Sequence, residues 1–219
     1  MRALVTGSAV GLGALIVDEL VKHGHEVYGY DIKNGQDILD PRGLPEKLDI
    51  LVNNAGANQI DWLADAKEED WDRVVDINAK GIFMMTRACL PQLRESKGTV
   101  VNVVSNAAHK PMRCSAAYNA SKGAAKMLTL QLARELAPDI TVFSVSPNKL
   151  ANTEMTSMID KRVVETRGWT PEFAMQYQLD GLLPGIETDP ARCAEFIGFL
   201  LSEKARHIHL AGCDLQYGV

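Results

Sequence analysis

Three apolar residues, Ala3-Leu4-Val5, run straight into Thr6-Gly7-Ser8-Ala9-Val10-Gly11-Leu12-Gly13, after which Leu12, Leu15, Ile16 and Leu20 recur at helical spacing. A strand, a glycine turn and a helix in that order constrain the fold more than any other stretch of the chain. Glycines let the backbone turn tightly and come close to a pyrophosphate, while free N–H groups at the helix start favour negative charge. Dinucleotide binding needs this arrangement at the first strand–helix junction. Thr6, Gly7, Gly11, Leu12 and Gly13 are thus candidate cofactor contacts, although an ordinary tight turn has the same composition.

The next apolar run, Val27-Tyr28-Gly29-Tyr30, ends at Asp31, eighteen residues after Gly13, with Ile32 beside it. An acid in this position can hold both ribose hydroxyls and repel a 2′-phosphate. At ~4 Å each extra negative charge costs roughly 4 kcal/mol in a partly screened site. NAD is therefore favoured over NADP. Lys33 softens the argument, and Asp31 could instead be a solvated turn residue.

A proton-transfer set lies further along. Tyr118-Asn119-Ala120-Ser121-Lys122 begins thirteen residues beyond Ser105, and four-residue spacing puts the Tyr and Lys on one face of a helix. A free tyrosine titrates near pH ~10, so a base working near neutrality needs a shift of about three units, or roughly 4 kcal/mol. One cation at ~4 Å can supply about that much. Lys122 is expected on this reasoning to lower the phenol and make Tyr118 a general acid/base. Taken alone, the Tyr/Lys pair is a weak pattern. Ser105 follows the strand-like Thr99–Val104, which puts it at the carboxyl end of a strand, where open α/β sheets bind their ligands.

With the glycine loop, Asn53-Asn54-Ala55-Gly56, Asn78, Ser105 and Tyr118-x-x-x-Lys122 in this order, the chain resembles the short-chain dehydrogenase/reductase family along nearly its whole length. The resemblance implies one α/β Rossmann domain over residues 1–219, with a doubly wound parallel sheet of about seven strands flanked by helices. It also implies a bound nicotinamide dinucleotide and a Ser-Tyr-Lys centre assisted by an Asn. By that similarity Tyr118 exchanges a proton with the substrate oxygen and Ser105 orients the same oxygen. Lys122 contacts the nicotinamide ribose, and Asn78 supports a water linking Lys122 to solvent. Asn54, Ala55 and Gly56 lie along the adenosine ribose, and Asp37-Ile38 resembles the acid–aliphatic pair that contacts adenine.

Departures from the family pattern are visible too. Between Asp31 and Asn53 little room remains for the helix that usually links the third and fourth strands, and Pro41, Gly43 and Pro45 break it further. A short, irregular crossover is expected. After Thr141–Ser146 the family's Pro-Gly is replaced by Pro147-Asn148, with Thr153 one position late; Asn tolerates left-handed geometry, so the nicotinamide pocket is expected in altered form. Residues 149–188 are too long for a bare loop and carry Met155, Met158, Trp169, Phe173, Met175 and Tyr177. They are read as a helical segment that either covers the active site or simply packs on the domain. Lys161, Arg162, Arg167 and Arg113 specify no substrate, since solvated charges are the default.

The 219 residues are 46% hydrophobic, enough for one core, and contain no membrane-length apolar run. With strand signal from the first residues, a soluble, cytoplasmic protein without a signal peptide is expected. A net charge of −5 and scattered basic residues argue against nucleic acid. Cys89, Cys114, Cys193 and Cys213 lack CxxC spacing and fit reduced thiols. The pairs His23/His25 and His207/His209 have no further ligand nearby in sequence, so no metal is expected. The stretch Asp189–Leu201, then His207–Leu210, Gly212 and Gly218, resembles the family's last helix and edge strand, elements that commonly pair across a two-fold axis. A homotetramer or homodimer is expected. The leading reading is an NAD(H)-dependent oxidoreductase interconverting a small-molecule alcohol and a ketone or aldehyde. The alternative is a dinucleotide-sensing binding protein without turnover.

Overall fold

A computed structural model describes residues 1–205 and 208–218. Its strands are β1 (Arg2–Thr6), β2 (Glu26–Tyr30), β3 (Ile50–Asn53), β4 (Thr99–Val103), β5 (Thr141–Pro147) and β6 (Asp214–Tyr217). They form one parallel sheet in the order β2-β1-β3-β4-β5-β6. The helices are α1 (Gly11–Lys22), α2 (Glu68–Val75), α3 (Gly81–Ser96), α4 (Ala116–Leu136), α5 (Glu154–Arg167), α6 (Pro171–Asp180) and α7 (Pro190–Leu200).

Strand alternation builds two cores from the same strands. Ala3, Val5, Ile50, Val52, Val101, Val103, Phe143 and Val145 point to one face and pack on Leu12, Ile16 and Leu20 of α1 and on Cys193, Ala194 and Ile197 of α7. Their neighbours Leu4, Leu51, Val100 and Val142 point the other way, onto Met85, Cys89 and Leu93 of α3 and Ala133 and Leu136 of α4. Both faces are covered, which is why these strands read as continuous apolar runs rather than as alternating ones. A buried polar seam crosses the sheet: Asn53 Nδ2 donates to Asn102 Oδ1 (2.9 Å) and Thr86 Oγ1 (3.2 Å), and Asn102 Nδ2 donates to Thr129 Oγ1 (2.9 Å). Asn53 thus ties β3 to β4 and α3. Because β1 lies between β2 and β3, the strand order reverses there and opens a crevice beyond the carboxyl ends of β1 and β3.

Two expectations are corrected. The sheet has six strands, not about seven: no strand flanks β2 among the described residues. From Asp31 to Asp49 the chain makes a single 3-10 turn (Ile32–Asn34) and then irregular turns. A further strand with its own helical return to β3 does not fit in that length, since a parallel crossover alone takes about a dozen residues. Tyr30 staples the short path instead; its hydroxyl accepts from the Arg42 amide (3.0 Å) and donates to the carbonyl of Arg42 (3.3 Å) or Asp37 (3.4 Å). The last strand is Asp214–Tyr217, and residues 208–210 ahead of it form none. Gly212, at φ 74°, turns the chain so that pairing with β5 begins two residues later. His207 lies outside the described residues.

Candidate functional site

The glycine loop is built by close backbone approach. Gly7 and Gly11 adopt φ 64° and 59°, where a side chain is strained. A Cβ on Gly13 would sit 2.0 Å from the Gly7 carbonyl oxygen, and one on Gly7 would sit 2.8 Å from Ala55 Cα. Thr6 is a knot rather than an open contact. Its buried hydroxyl accepts from the amides of Asn54 and Ala55, both at 3.0 Å, and Asn54 Nδ2 donates back to the carbonyls of Thr6 (3.0 Å) and Gly7 (3.1 Å). The structure thereby joins Thr6, Gly7, Gly13, Asn54 and Ala55, with Gly11 close to Thr153.

Val10 supplies no side-chain cap to α1 and no acid lies in its first turn, an open start that α3 and α4 share, whereas Thr153, Thr170 and Asp189 cap α5, α6 and α7 with side-chain oxygens. The positive end of α1 is left for an anion, so the loop, the missing side chains and the uncapped helix fit a pyrophosphate. Asp31 ends β2, buried, with its carboxylate accepting from the amides of Ala9 (2.9 Å) and Lys33 (2.8 Å). Lys33 in turn reaches Glu154 at the start of α5, 3.7 Å away. Towards the adenine end the contacts thin out. Ile32 is 69% exposed, and the exposed Asp37 carboxylate caps its own turn at the Leu39 amide (2.8 Å). Ile38 packs against Gly81, where a Cβ would stand 2.5 Å from its Cδ1.

The candidate catalytic residues converge from β4, α4 and the α2–α3 junction. Ser105, the second residue beyond β4, caps a 3-10 turn (Asn106–Ala108) by accepting from the Ala107 amide (3.1 Å), and its hydroxyl hydrogen-bonds the Tyr118 phenol. Lys122 lies one turn along α4, its Nζ 5.9 Å from the Tyr118 ring centroid and donating to the Val103 carbonyl (3.1 Å). Asn78 sits in a π-helical turn (Asp76–Lys80), a local widening frequent at functional sites. Its side chain accepts from the Ala57 amide (2.8 Å) and donates to the Ala57 carbonyl (2.8 Å) and Ser121 Oγ (2.9 Å). A Cβ on Gly56 would lie 3.3 Å from Asn78 Oδ1 and 3.8 Å from Lys122 Nζ, so Gly56 is where the cofactor side and the proton-transfer side meet.

The electrostatics reverse one expectation. Burial raises the Tyr118 phenol above its usual range, and the Ser105 hydrogen bond only partly offsets this. Burial also pulls Lys122 down from 10.5 to about 8. Among protein groups it is Ser105 that favours the phenolate, and burial of the phenol outweighs it.

Asn148 is also not as expected. Left-handed geometry falls at Asn152 (φ 52°), while Asn148 extends the sheet pairing through its amide to the Tyr217 carbonyl (2.9 Å). Its side chain donates to the Gly218 carbonyl (2.9 Å) and accepts from the Lys149 amide (2.9 Å), closing β5 onto the C-terminal strand. Residues 149–188 do form helices, α5 and α6, between ends that pair at Leu150 and Thr188. Val163 and Ala174 pack with Ile60 and Cys114, on the loops after β3 and before α4. Trp169, Phe173 and Tyr177 cluster around Arg167, while Met158 and Phe173 stay exposed. Arg162 pairs with Asp61 and Lys161 with Glu165.

Asn119 escaped the sequence reading. Its amide donates to the carbonyls of Ala107 (2.6 Å) and Lys110 (2.8 Å), and its oxygen accepts from the Met112 amide (3.2 Å), binding the Ser105 turn to α4. Its place beside Tyr118 was the available signal. No group of three or more His, Cys, Asp or Glu residues able to hold a metal occurs among the described residues, and none of their helices is long and apolar enough to cross a membrane.

A family model described as short chain dehydrogenase matches residues 42–163, which include Asn53–Gly56, Asn78, Ser105, Tyr118 and Lys122. Cyclopentanol dehydrogenase of a Comamonas species is 34% identical, covering 94% of this chain and 91% of the relative. An NADP-dependent 3-hydroxy acid dehydrogenase of Salmonella typhi is 30% identical over 78% of this chain and 82% of that one. The solved 3-ketoacyl-(acyl-carrier-protein) reductase from Brucella melitensis, complexed with NADH, superimposes with a TM-score of 0.82 at 27% identity, covering 98% of this chain and 95% of that one. Together with the crevice and the residues gathered around it, these likenesses show that the chain belongs to the short-chain dehydrogenase/reductase family, oxidoreductases of CH–OH groups that bind a nicotinamide dinucleotide.

Proposed function

We propose that the protein interconverts an alcohol and a ketone or aldehyde with NAD(H), using Tyr118 as the general acid/base. The observation that carries this reading is the bonded Ser105–Tyr118 pair with Lys122 one helical turn away, beside a loop shaped for a pyrophosphate. The nicotinamide, when bound, supplies or takes the hydride at the substrate carbon. In the reducing direction the Tyr118 hydroxyl gives its proton to the substrate oxygen while the Ser105 hydroxyl orients that oxygen. The raised phenol suits this direction, since it keeps the proton available. Lys122 and Asn78 then stand where protons are exchanged with the surroundings, the role the family resemblance implies for them.

NAD is the cofactor this reading favours. The buried Asp31 carboxylate would repel a 2′-phosphate, and the Lys33 ammonium is drawn towards Glu154. Residues 149–188 act as the substrate cover; the exposed Met158 and Phe173 suit a substrate with apolar surface. Assembly as a dimer or tetramer through α7 and β6, and a cytoplasmic location, complete the proposal.

The decisive experiment is a screen of alcohols and carbonyl compounds with NAD(H) and NADP(H), followed by Tyr118→Phe on the best substrate. Turnover seen as an NADH absorbance change, lost in the variant while NADH still binds, supports the reading. Unchanged turnover in Tyr118→Phe would refute it.

A further inference from the structure

Behind the site a buried polar relay joins elements that need no polar contact to pack. Ser144 Oγ and Ser146 Oγ, both fully buried on β5, each donate at 2.7 Å to Asp214 Oδ1 on β6. Asp214 Oδ2 meets His109 Nε2 at 2.7 Å, and His109 Nδ1 meets Lys126 Nζ on α4 at 3.2 Å. The side chains of His109 and Asp214 are 17% and 9% exposed. An ammonium has no lone pair to accept with, so Nδ1 must be the acceptor of the Lys126 proton and the ring is the neutral Nε2–H tautomer. The relay then has one direction: Lys126 gives to His109, His109 gives to Asp214, and both serines give to the same carboxylate. A positive and a negative group flank a neutral ring, so the buried segment carries balanced charge.

We propose that His109 is a positioning residue that locks the Ser105 turn against β6 and α4, setting the Ser105 hydroxyl on the Tyr118 phenol. The turn leaves the sheet after the Val104 amide, which bonds the Val145 carbonyl (2.8 Å), and beyond that point side chains fix it. Within it, the His109 and Lys110 amides donate to the Asn106 carbonyl (2.9 and 3.1 Å) and the Ala108 amide donates to the Ser105 carbonyl (3.0 Å). Asn119 grips its middle. His109 grips its far end, and it does so from the same helix that carries Tyr118 and Lys122, through Lys126. A carboxylate and two hydroxyls in the interior cost free energy unless every one is satisfied. A relay of this expense that ends on the Ser105 turn is explained by what it holds.

The activity readout rests on the proposed function, so the test carries a second readout that does not. His109→Leu removes both hydrogen bonds. His109→Gln keeps them, its Nε2 donating to Asp214 and its Oε1 accepting from Lys126. His109→Leu is expected to lower kcat at least about tenfold, a change of about 1.4 kcal/mol in barrier, with NADH affinity within about twofold, and His109→Gln to restore kcat to within about threefold. Amide exchange at His109 and Lys110, followed by mass spectrometry with NADH absent, should quicken in His109→Leu and in Lys126→Met, a substitution on the helix surface that spares the core. Unchanged exchange in Lys126→Met, or a Gln variant as impaired as the Leu variant, overturns the proposal. So does a His109→Leu protein whose NADH affinity falls in step with kcat. Should the wild-type protein turn over no alcohol or carbonyl compound, the functional reading falls, and the exchange measurement still decides the clamp.

Discussion

The two ends of the cofactor crevice are built in opposite ways. At the catalytic end Asn78 and Lys122 are held by hydrogen bonds to α4 and β4, and Asn119 ties the Ser105 turn to α4 with three more. At the adenine end the flanking strand is missing, Ile32 projects outward and Asp37 bonds only its own turn. On the proposed function, proton transfer, which depends on close placement, falls in the stiffer half of the crevice. Binding of the adenosine moiety tolerates slack, provided the pyrophosphate is gripped between the two ends. The contrast predicts large effects from changes at the stiff end and the glycine loop, and small ones at the open end.

The sharpest break should come from Tyr118→Phe, which leaves Ser105 without its partner and is expected to reduce turnover by about 10³-fold or more with NADH binding retained. Next is Gly13→Ala. Its methyl would collide with the Gly7 carbonyl backbone, and an NADH titration should show affinity down at least about tenfold, with a lower melting temperature. An affinity unaltered by that methyl would mean that the loop is not the cofactor's grip. Asp31→Ser should narrow the preference for NADH over NADPH by about ten- to a hundredfold, read as the ratio of dissociation constants; removal of one charge near ~4 Å sets the scale.

Lys122 separates activity from stability. Its folded pKa of about 8 lies below the 10.5 of the unfolded chain, so the unfolded state holds the proton more tightly. The resulting penalty is fully present below pH 8 and disappears as pH rises towards 10.5. Lys122→Met should therefore be inactive yet more stable at neutral pH, by up to about 3 kcal/mol in urea unfolding, and should lack the wild-type rise in stability above pH 8. In the wild type, kcat/KM for carbonyl reduction should fall as pH climbs through about 8, and Lys122→Arg should carry that limb to higher pH. The mildest change is Asp37→Ala, which should move the NADH dissociation constant by less than about twofold, since surface substitutions stay within about 0.5 kcal/mol. A large loss there would show that the open end closes on adenine after all.

What could be read from sequence follows from how local each signal is. The glycine loop, the Tyr/Lys spacing and the apolar strands are encoded within a few residues, and all of them formed as expected. The missing strand was hidden because Asp37-Ile38 resembles a family motif, while its absence is a matter of how many residues remain before Ile50. The direction of the phenol's shift depends on burial, which no spacing reveals. The knot at Thr6 and the His109–Asp214 pair act through partners dozens of residues away, which no local spacing reveals, whereas Asn119 bonds close neighbours and was signalled only by its place beside Tyr118.

Without a flanking strand among the described residues, β2 is a bare margin, its backbone along Glu26–Tyr30 paired on one side with β1. Such a margin invites another chain to add itself, and self-templating is the hazard. Glu26 stands there as a charged gatekeeper, its carboxylate steadied by the Tyr28 hydroxyl at 2.5 Å. The shortened crossover therefore has a colloidal consequence: along this rim of the sheet a single charge, that of Glu26, stands against the addition of another strand.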